Sequence, residues 1–185
     1  MITLRAATTD DAAAILSIYA PYVVTNAVSF ETTPPLAKDV RARIKAAGDI
    51  YPWIVAEDED SGLVLGYAFA KPARPGTAYR FACETACYVA GELEGQGIRR
   101  TLYMALLATL TEQNFTQAIS NLTMPNDKAI VLHEAIGFKR AGVYREIAFK
   151  NGQWIDVGLW QRSLSEPNTP PDEVKAFSAV GVMRA

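Results

Sequence analysis

The sequence predicts an α/β (α+β) fold, with a central mixed, mostly antiparallel sheet flanked by helices. Three observations predict it. Strand and helix patterns follow in the order strand, two helices, three strands, helix, strand, helix, two strands, a mixture that one layered domain accommodates. Two strand pairs are joined by short turn signals, Asp58–Gly62 and Asn151-Gly152, as antiparallel neighbours are. The 185 residues, 50% of them apolar, suffice for one core and leave little room for a second.

Each element has its own signal. Ile2–Ala6 alternates like an edge strand, and Thr8-Thr9-Asp10-Asp11 supplies helix-cap chemistry before the helical spacing of Ala12–Tyr19. Pro21 is expected to end or bend that helix. Asn26–Pro35 reads as a loop, and a second helix over Leu36–Ala47 closes at Gly48. Trp53–Glu57 and Leu63–Ala70 form a hairpin, Lys71–Thr77 is a Pro/Gly loop, and Phe81–Val89 is a further strand. Gly91–Gly97 leads into a helix over Arg99–Thr111. Ala118–Thr123 is a strand, Asp127–Ile136 a helix stopped by Gly137, and Phe138–Phe149 with Trp154–Arg162 the last hairpin. The domain is expected over residues 1–163, with 164–185 an extended, Pro-containing tail.

Composition narrows the function. The net charge of −2 comes with interspersed signs, so neither a nucleic-acid footprint nor a basic membrane stripe is expected. The opening residues lack a secretory signal pattern, and no apolar run would span a bilayer, so a cytoplasmic protein is expected. Cys83 and Cys87 share one strand face, but alternate residues advance about 6.6 Å, too far for a bridge, and a reduced compartment follows. One His and two Cys make a metal site unexpected.

Three segments could carry chemistry. Glu84 is the only charge in its strand, opposite in facing to Cys83 and Thr85. It is either a water-facing edge residue or a carboxylate in a poorly hydrated pocket, where desolvation makes a carboxylate a competent general base. His133, the only histidine, lies in line with Ala129, Ile130 and Ile136, as a satisfied core imidazole or as a proton donor or relay. Glu94-Gly-Gln-Gly-Ile-Arg-Arg100 is either a plain strand-to-helix turn or a cradle whose backbone N–H groups hold a phosphate.

Taken together, these segments resemble one family. Residues 2–162 are similar to the GNAT acyltransferase fold, and within it to the phosphinothricin and methionine sulfone acetyltransferase group. The resemblance rests on Ala78–Thr85, Gly95-Gln96-Gly97-Ile98, Pro125-Asn126-Asp127, Leu132–Phe138, and Lys150–Gly158 followed by Trp160-Gln161. It implies an acetyl-CoA-dependent N-acetyltransferase with a small-molecule amine as partner, working by direct transfer without a metal. Glu84 then falls where the group has its catalytic base, and His133 where many members carry a Tyr that protonates the leaving thiolate. Cys87, Tyr88 and Val89 would supply backbone groups to the pantetheine arm and the oxyanion. Gly95, Gln96, Gly97, Ile98, Arg99 and Arg100 match the pyrophosphate segment, and Asn126 the Asn on the cofactor arm. Phe30 and Thr32 match the substrate loop, and Arg74 and Tyr79 fall in the segment that meets the substrate's acidic end. The group also implies a homodimer, compatible with an exposed aromatic hairpin around Trp154 and Trp160.

Two positions depart from the family pattern of Gln or Arg, two residues, Gly, one residue, then Gly or Ala. Glu94 adds negative charge beside an expected diphosphate, and Arg99 adds bulk where backbone should approach. Either the two compensate, with Arg99 reaching phosphate oxygens, or they weaken cofactor binding. Beside the amino-acid acetyltransferase, two further activities fit: an acetyltransferase for a polyamine or protein N-terminus, and a non-catalytic CoA-binding module.

Overall fold

The computed structural model describes residues 1–184. Its seven strands form one sheet in the order β1-β2-β3-β4-β5-β7-β6. They are β1 (Ile2–Ala6), β2 (Trp53–Asp58), β3 (Val64–Pro72), β4 (Ala82–Val89), β5 (Gln117–Met124), β6 (Lys139–Lys150) and β7 (Gln153–Ser163). Every neighbouring pair is antiparallel except β4 with β5. The mixed, mostly antiparallel sheet expected from the element order is therefore present.

The helices are α1 (Ala12–Val24), α2 (Ala37–Ala47), α3 (Ile98–Glu112), α4 (Asp127–Ala135) and the short α5 (Phe177–Val180). Strand alternation divides β2 and β3 between two cores. Ile54, Ala56, Ala68 and Ala70 meet Leu102, Leu106 and Leu110 of α3 on one face. Val55 and Tyr67 meet Ile15, Tyr19 and Tyr22 of α1 and Val40 of α2 on the other. A third cluster joins α3, α4, β5 and β7 through Tyr103, Leu107, Leu122, Ala129 and Trp160.

Local chemistry sets the helix starts. Thr8 and Asp11 form a capping box ahead of α1, and Asn126 caps α4 by accepting the Ala129 N–H at 3.2 Å. α3 begins differently: Gly97 stands before it with φ 82° and offers no side-chain cap. The first-turn N–H groups of α3 are thus left for another acceptor.

Three expectations are corrected. Pro21 does not end α1, which runs one turn on to Val24; the Thr25 N–H closes onto the Pro21 carbonyl at 2.8 Å, so only the bond that proline lacks is lost. Trp160 is not part of an exposed hairpin surface: it is 1% exposed, while Trp154 is 63% exposed. Residues 164–184 are largely without regular structure, yet they lie on the domain. Val174, Phe177 and Val182 pack against the α3 core, and the Lys175 N–H donates to the Gln113 carbonyl at 2.8 Å.

Candidate active site

Pairing between β4 and β5 covers Ala82↔Gln117, Cys83↔Ala118 and Glu84↔Ile119, and goes no further. Both strands continue, so they part immediately after Glu84. Three cavities meet along this parting. A chamber of about 560 Å³ lies on the α1–α2 face. A narrow gap of about 60 Å³ separates the strands themselves. A third cavity, of about 470 Å³, opens beside the start of α3.

The chamber floor follows from the register of β3 and β4. Tyr67↔Tyr88, Phe69↔Ala86 and Lys71↔Glu84 are direct cross-strand pairs, and all six side chains line the chamber. Trp53 on β2 adds a wall by stacking on Phe69, with centroids 4.4 Å apart. Glu84 is therefore no edge residue; its side chain is 20% exposed and its Oε1 lies 3.0 Å from Lys71 Nζ. That cation is a partner the strand pattern did not announce. Glu84 also lines a second recess, where Arg74 donates to Tyr144 Oη at 3.2 Å.

The loop before α2 closes the chamber. Tyr19 and Ser29 share a hydroxyl hydrogen bond of 2.6 Å, and buried Lys150 donates to the Ser29 carbonyl at 2.7 Å. Burial pushes the Tyr19 phenol up to about 12, so it stays protonated. Phe30 lines the chamber, as does the bidentate pair of Arg43 on Glu31, at 2.5 and 3.1 Å. Thr32 and Tyr79 are exposed and line neither the chamber nor the Arg74 recess.

His133 sits at the gap between the parted strands, 5% exposed. Its Nδ1 lies 2.7 Å from the Ala129 carbonyl, which can only accept, so Nδ1 carries the proton. Nε2 then accepts from Ser120 Oγ at 2.9 Å or Tyr103 Oη at 3.1 Å. Burial lowers the pKa of this imidazole, favouring the neutral form. The ring has no spare N–H to give a departing group. Nε2 meets the Ser120 and Tyr103 hydroxyls, which is the geometry of the relay among the two roles expected for this histidine. Tyr103 also reaches Thr85 Oγ1, at 3.1 Å, tying the cluster to β4.

At the third cavity Gly95 and Gly97 adopt φ of 89° and 82°, and a Cβ on either would meet nothing within 4 Å. The turn needs glycine for its backbone angle and leaves open space above it. Arg99, Arg100, Asn126 and Lys128 line the same cavity. Gln96 is exposed and Ile98 is buried in the α3 core, so neither side chain lines it. Arg99 is held by Glu94 Oε1 and by Tyr22 Oη, each at 2.9 Å. Tyr22 in turn donates to the Val89 carbonyl at 2.6 Å, occupying one lone pair of a group expected to meet the pantetheine arm. Burial raises the Cys87 thiol to about 12, which keeps it from acting as a nucleophile.

Residues 4–159 match the acetyltransferase (GNAT) domain family. The chain belongs to that family. It is similar to a phosphinothricin N-acetyltransferase of Alcaligenes faecalis, 41% identical over 90% of this chain and 85% of that one. It is likewise similar to the L-methionine sulfoximine/L-methionine sulfone acetyltransferase of Pseudomonas paraeruginosa, 31% identical over 91% and 98%. Among solved structures, a GNAT phosphinothricin acetyltransferase from Sinorhizobium meliloti, in complex with acetyl-CoA, superposes with a TM-score of 0.86, is 35% identical, and covers 94% of each chain.

This GNAT chain is accordingly an N-acetyltransferase, and acetyl-CoA is its cosubstrate. The residues present fit that molecule: an uncapped helix start, two glycines with open space above them, and three cations are what a diphosphate requires. Reading by sequence missed Lys71, Glu31, Arg43, Tyr103, Ser120 and Asn121. Only strand register could have paired Lys71 with Glu84, because the lysine follows its strand's apolar run and reads as loop.

Proposed function

We propose that this enzyme acetylates the α-amine of a small amino acid, of the phosphinothricin, methionine sulfone or methionine sulfoximine kind, by direct transfer in a ternary complex. The observation that carries the reading is the position of Glu84, where the acceptor chamber reaches the parting of β4 and β5. The substrates named for the relatives in Alcaligenes and Pseudomonas support it.

In this reading Glu84 takes a proton from the substrate ammonium, and the free amine attacks the thioester carbonyl. The N–C bond forms and the C–S bond breaks, and the second proton lost by the nitrogen ends on the departing sulfur, so that CoA leaves as its thiol. A backbone N–H over Cys87–Val89 holds the oxyanion, and the departing thiolate takes its hydrogen bond from the Tyr103–Ser120 pair that His133 orients. Alignment of the two substrates accounts for much of the rate. Free Cys83 and Cys87 fit a reducing compartment, and the reading assigns the enzyme to the cytoplasm. It also makes the enzyme a homodimer, through the exposed Tyr144, Ile147, Phe149 and Trp154 of β6 and β7.

The test is a thermal shift with acetyl-CoA, followed by thiol release with L-phosphinothricin, L-methionine sulfone, L-methionine sulfoximine, L-lysine and spermidine. The first three should be the better acceptors, since planar Arg contacts favour oxyanions and sulfonyl oxygens. Turnover confined to spermidine or to peptide N-termini would replace this reading with the other acetyltransferase. A shift with no turnover of any amine would replace it with a CoA-binding module.

A further inference from the structure

We infer that Lys71, with Asn121, makes this site selective for free α-amino acids over amines that lack an adjacent carboxylate. The inference rests on the acceptor reading above and goes beyond it by assigning the α-carboxylate a partner.

The argument starts from charge. Lys71 and Glu84 are directly opposed across β3 and β4, with Nζ 3.0 Å from Oε1, and both side chains line the acceptor chamber. Before substrate enters, the base is therefore half of an ion pair. An acceptor must bring its ammonium to Glu84 and so must draw the carboxylate away from Lys71. A polyamine, a lysine ε-amine or a peptide N-terminus leaves Lys71 with a second cation beside it and no counter-ion. A zwitterionic α-amino acid brings its own carboxylate, one carbon from the amine. Ammonium meets Glu84, carboxylate meets Lys71, and the total charge of the site is unchanged. Lys71 suits the task, since its ammonium is a compact charge on a flexible stem and its side chain is half exposed at the chamber wall.

Asn121 supplies a second, independent observation. It stands on β5 just beyond the last β4–β5 pair, and it lines the chamber, the interstrand gap and the Arg74 recess. Its Oδ1 is buried and has no hydrogen-bond partner, which is costly unless a donor arrives. An ammonium shared between Glu84 and Asn121 satisfies that oxygen. The other cation in the chamber, Arg43, is already held bidentately by Glu31, so Lys71 is the one whose partner the substrate must displace.

The test compares initial rates on L-methionine sulfone and on its α-carboxamide, which keeps the amine and the side chain but has no carboxylate. Wild type should favour the acid by about 10- to 100-fold in kcat/KM, the worth of one hydrogen-bonded charge. In Lys71→Met that ratio should collapse towards one, through a raised KM for the acid, and Lys71→Arg should restore much of it. Asn121→Leu should raise KM for both compounds. Thermal shift with acetyl-CoA on each variant establishes that it is folded. An unchanged ratio in Lys71→Met, or equal wild-type rates on acid and carboxamide, would overturn the role of Lys71 while leaving the amino-acid reading in place. If wild type turns over neither compound but acetylates spermidine, the amino-acid reading fails and this inference falls with it.

Discussion

Arg99 and Glu94, the two residues that depart from the family's loop pattern, are bound to each other: Nη2 of the arginine lies 2.9 Å from Oε1 of the glutamate. The same nitrogen meets Tyr22 Oη at 2.9 Å. The negative charge added at the diphosphate site is thus matched by the positive charge added beside it. Neither obstructs the glycine turn, which has open space above both Gly95 and Gly97. Arg99 also lines the cavity, so a phosphate can compete with Glu94 for it. Arg99→Ala should weaken acetyl-CoA binding by about 1–3 kcal/mol, the scale of a hydrogen bond to a charged group. Glu94→Gln should tighten it by releasing the guanidinium. Both effects should shrink at high salt. Isothermal titration of the three proteins at two salt concentrations checks this; tighter binding by Arg99→Ala would mean that the side chain blocks the site.

Glu84→Gln removes the proton acceptor while keeping the shape of the side chain. Turnover should fall by about 10²–10⁴, the usual contribution of a positioned base, with acetyl-CoA affinity little changed. The base is reached from the chamber and the cofactor cavity lies at the far end of β4, so the two measurements separate. Turnover within a few-fold of wild type across the pH range would remove Glu84 from the mechanism.

Much of this architecture is legible in the sequence because local signals and burial agree. The lone carboxylate of β4, the apolar stripe carrying His133 and the glycines before α3 all occur in the structure where periodicity and turn chemistry put them. What stayed hidden depends on register and on contacts distant in the chain. Lys71 meets Glu84 only because β3 and β4 pair at that position, and Lys150 reaches Ser29 across 121 residues. Trp160 reads as surface beside Trp154, and the two do share a face of β7, six residues apart, but Trp160 alone is covered, by Tyr103 and Leu107 of α3 and Ala129 of α4. Proline chemistry predicts an end or a bend at Pro21, and packing of Tyr22 and Val23 against the sheet carries the helix past it.

The neutral imidazole of His133 predicts a pH dependence of stability. Burial lowers its pKa below the ordinary 6.5, outweighing the Ala129 hydrogen bond, which acts the other way. Below about 6.5 the unfolded chain takes up a proton that the native state resists, so stability is lost as the pH falls from there towards the native pKa. Above that window the group adds no slope. His133→Gln abolishes the titration. Urea midpoints measured at pH 7.5 and 5.5 should therefore drop further for wild type than for the variant. Equal drops would show that His133 is protonated as readily in the native state as in the unfolded one.

The last residues should matter for stability although they read as a tail. Val174, Phe177 and Val182 cover the α3 core, whose Leu106, Leu110 and Phe115 are fully buried. Buried Gln113 spends its amide N–H groups on the Ile50 carbonyl at 3.0 Å and the Lys175 carbonyl at 2.9 Å, so removing the tail orphans one of them. Glu173 holds Arg80 through two hydrogen bonds, of 2.8 and 3.1 Å, beside the loop that carries Arg74. Three partly buried apolar side chains at about 1 kcal/mol or more each, with one orphaned donor, come to roughly 4 kcal/mol. That is a large fraction of the roughly 5–15 kcal/mol that holds a domain together. Truncation after Leu164 should therefore lower the melting temperature by roughly 8–16 °C (roughly 2–4 °C per kcal/mol at this size), and Phe177→Ala alone should account for part of it. Differential scanning calorimetry of both variants with and without acetyl-CoA measures this. A truncated chain that melts with wild type and keeps its acetyl-CoA shift would put the end of the folded unit at residue 163.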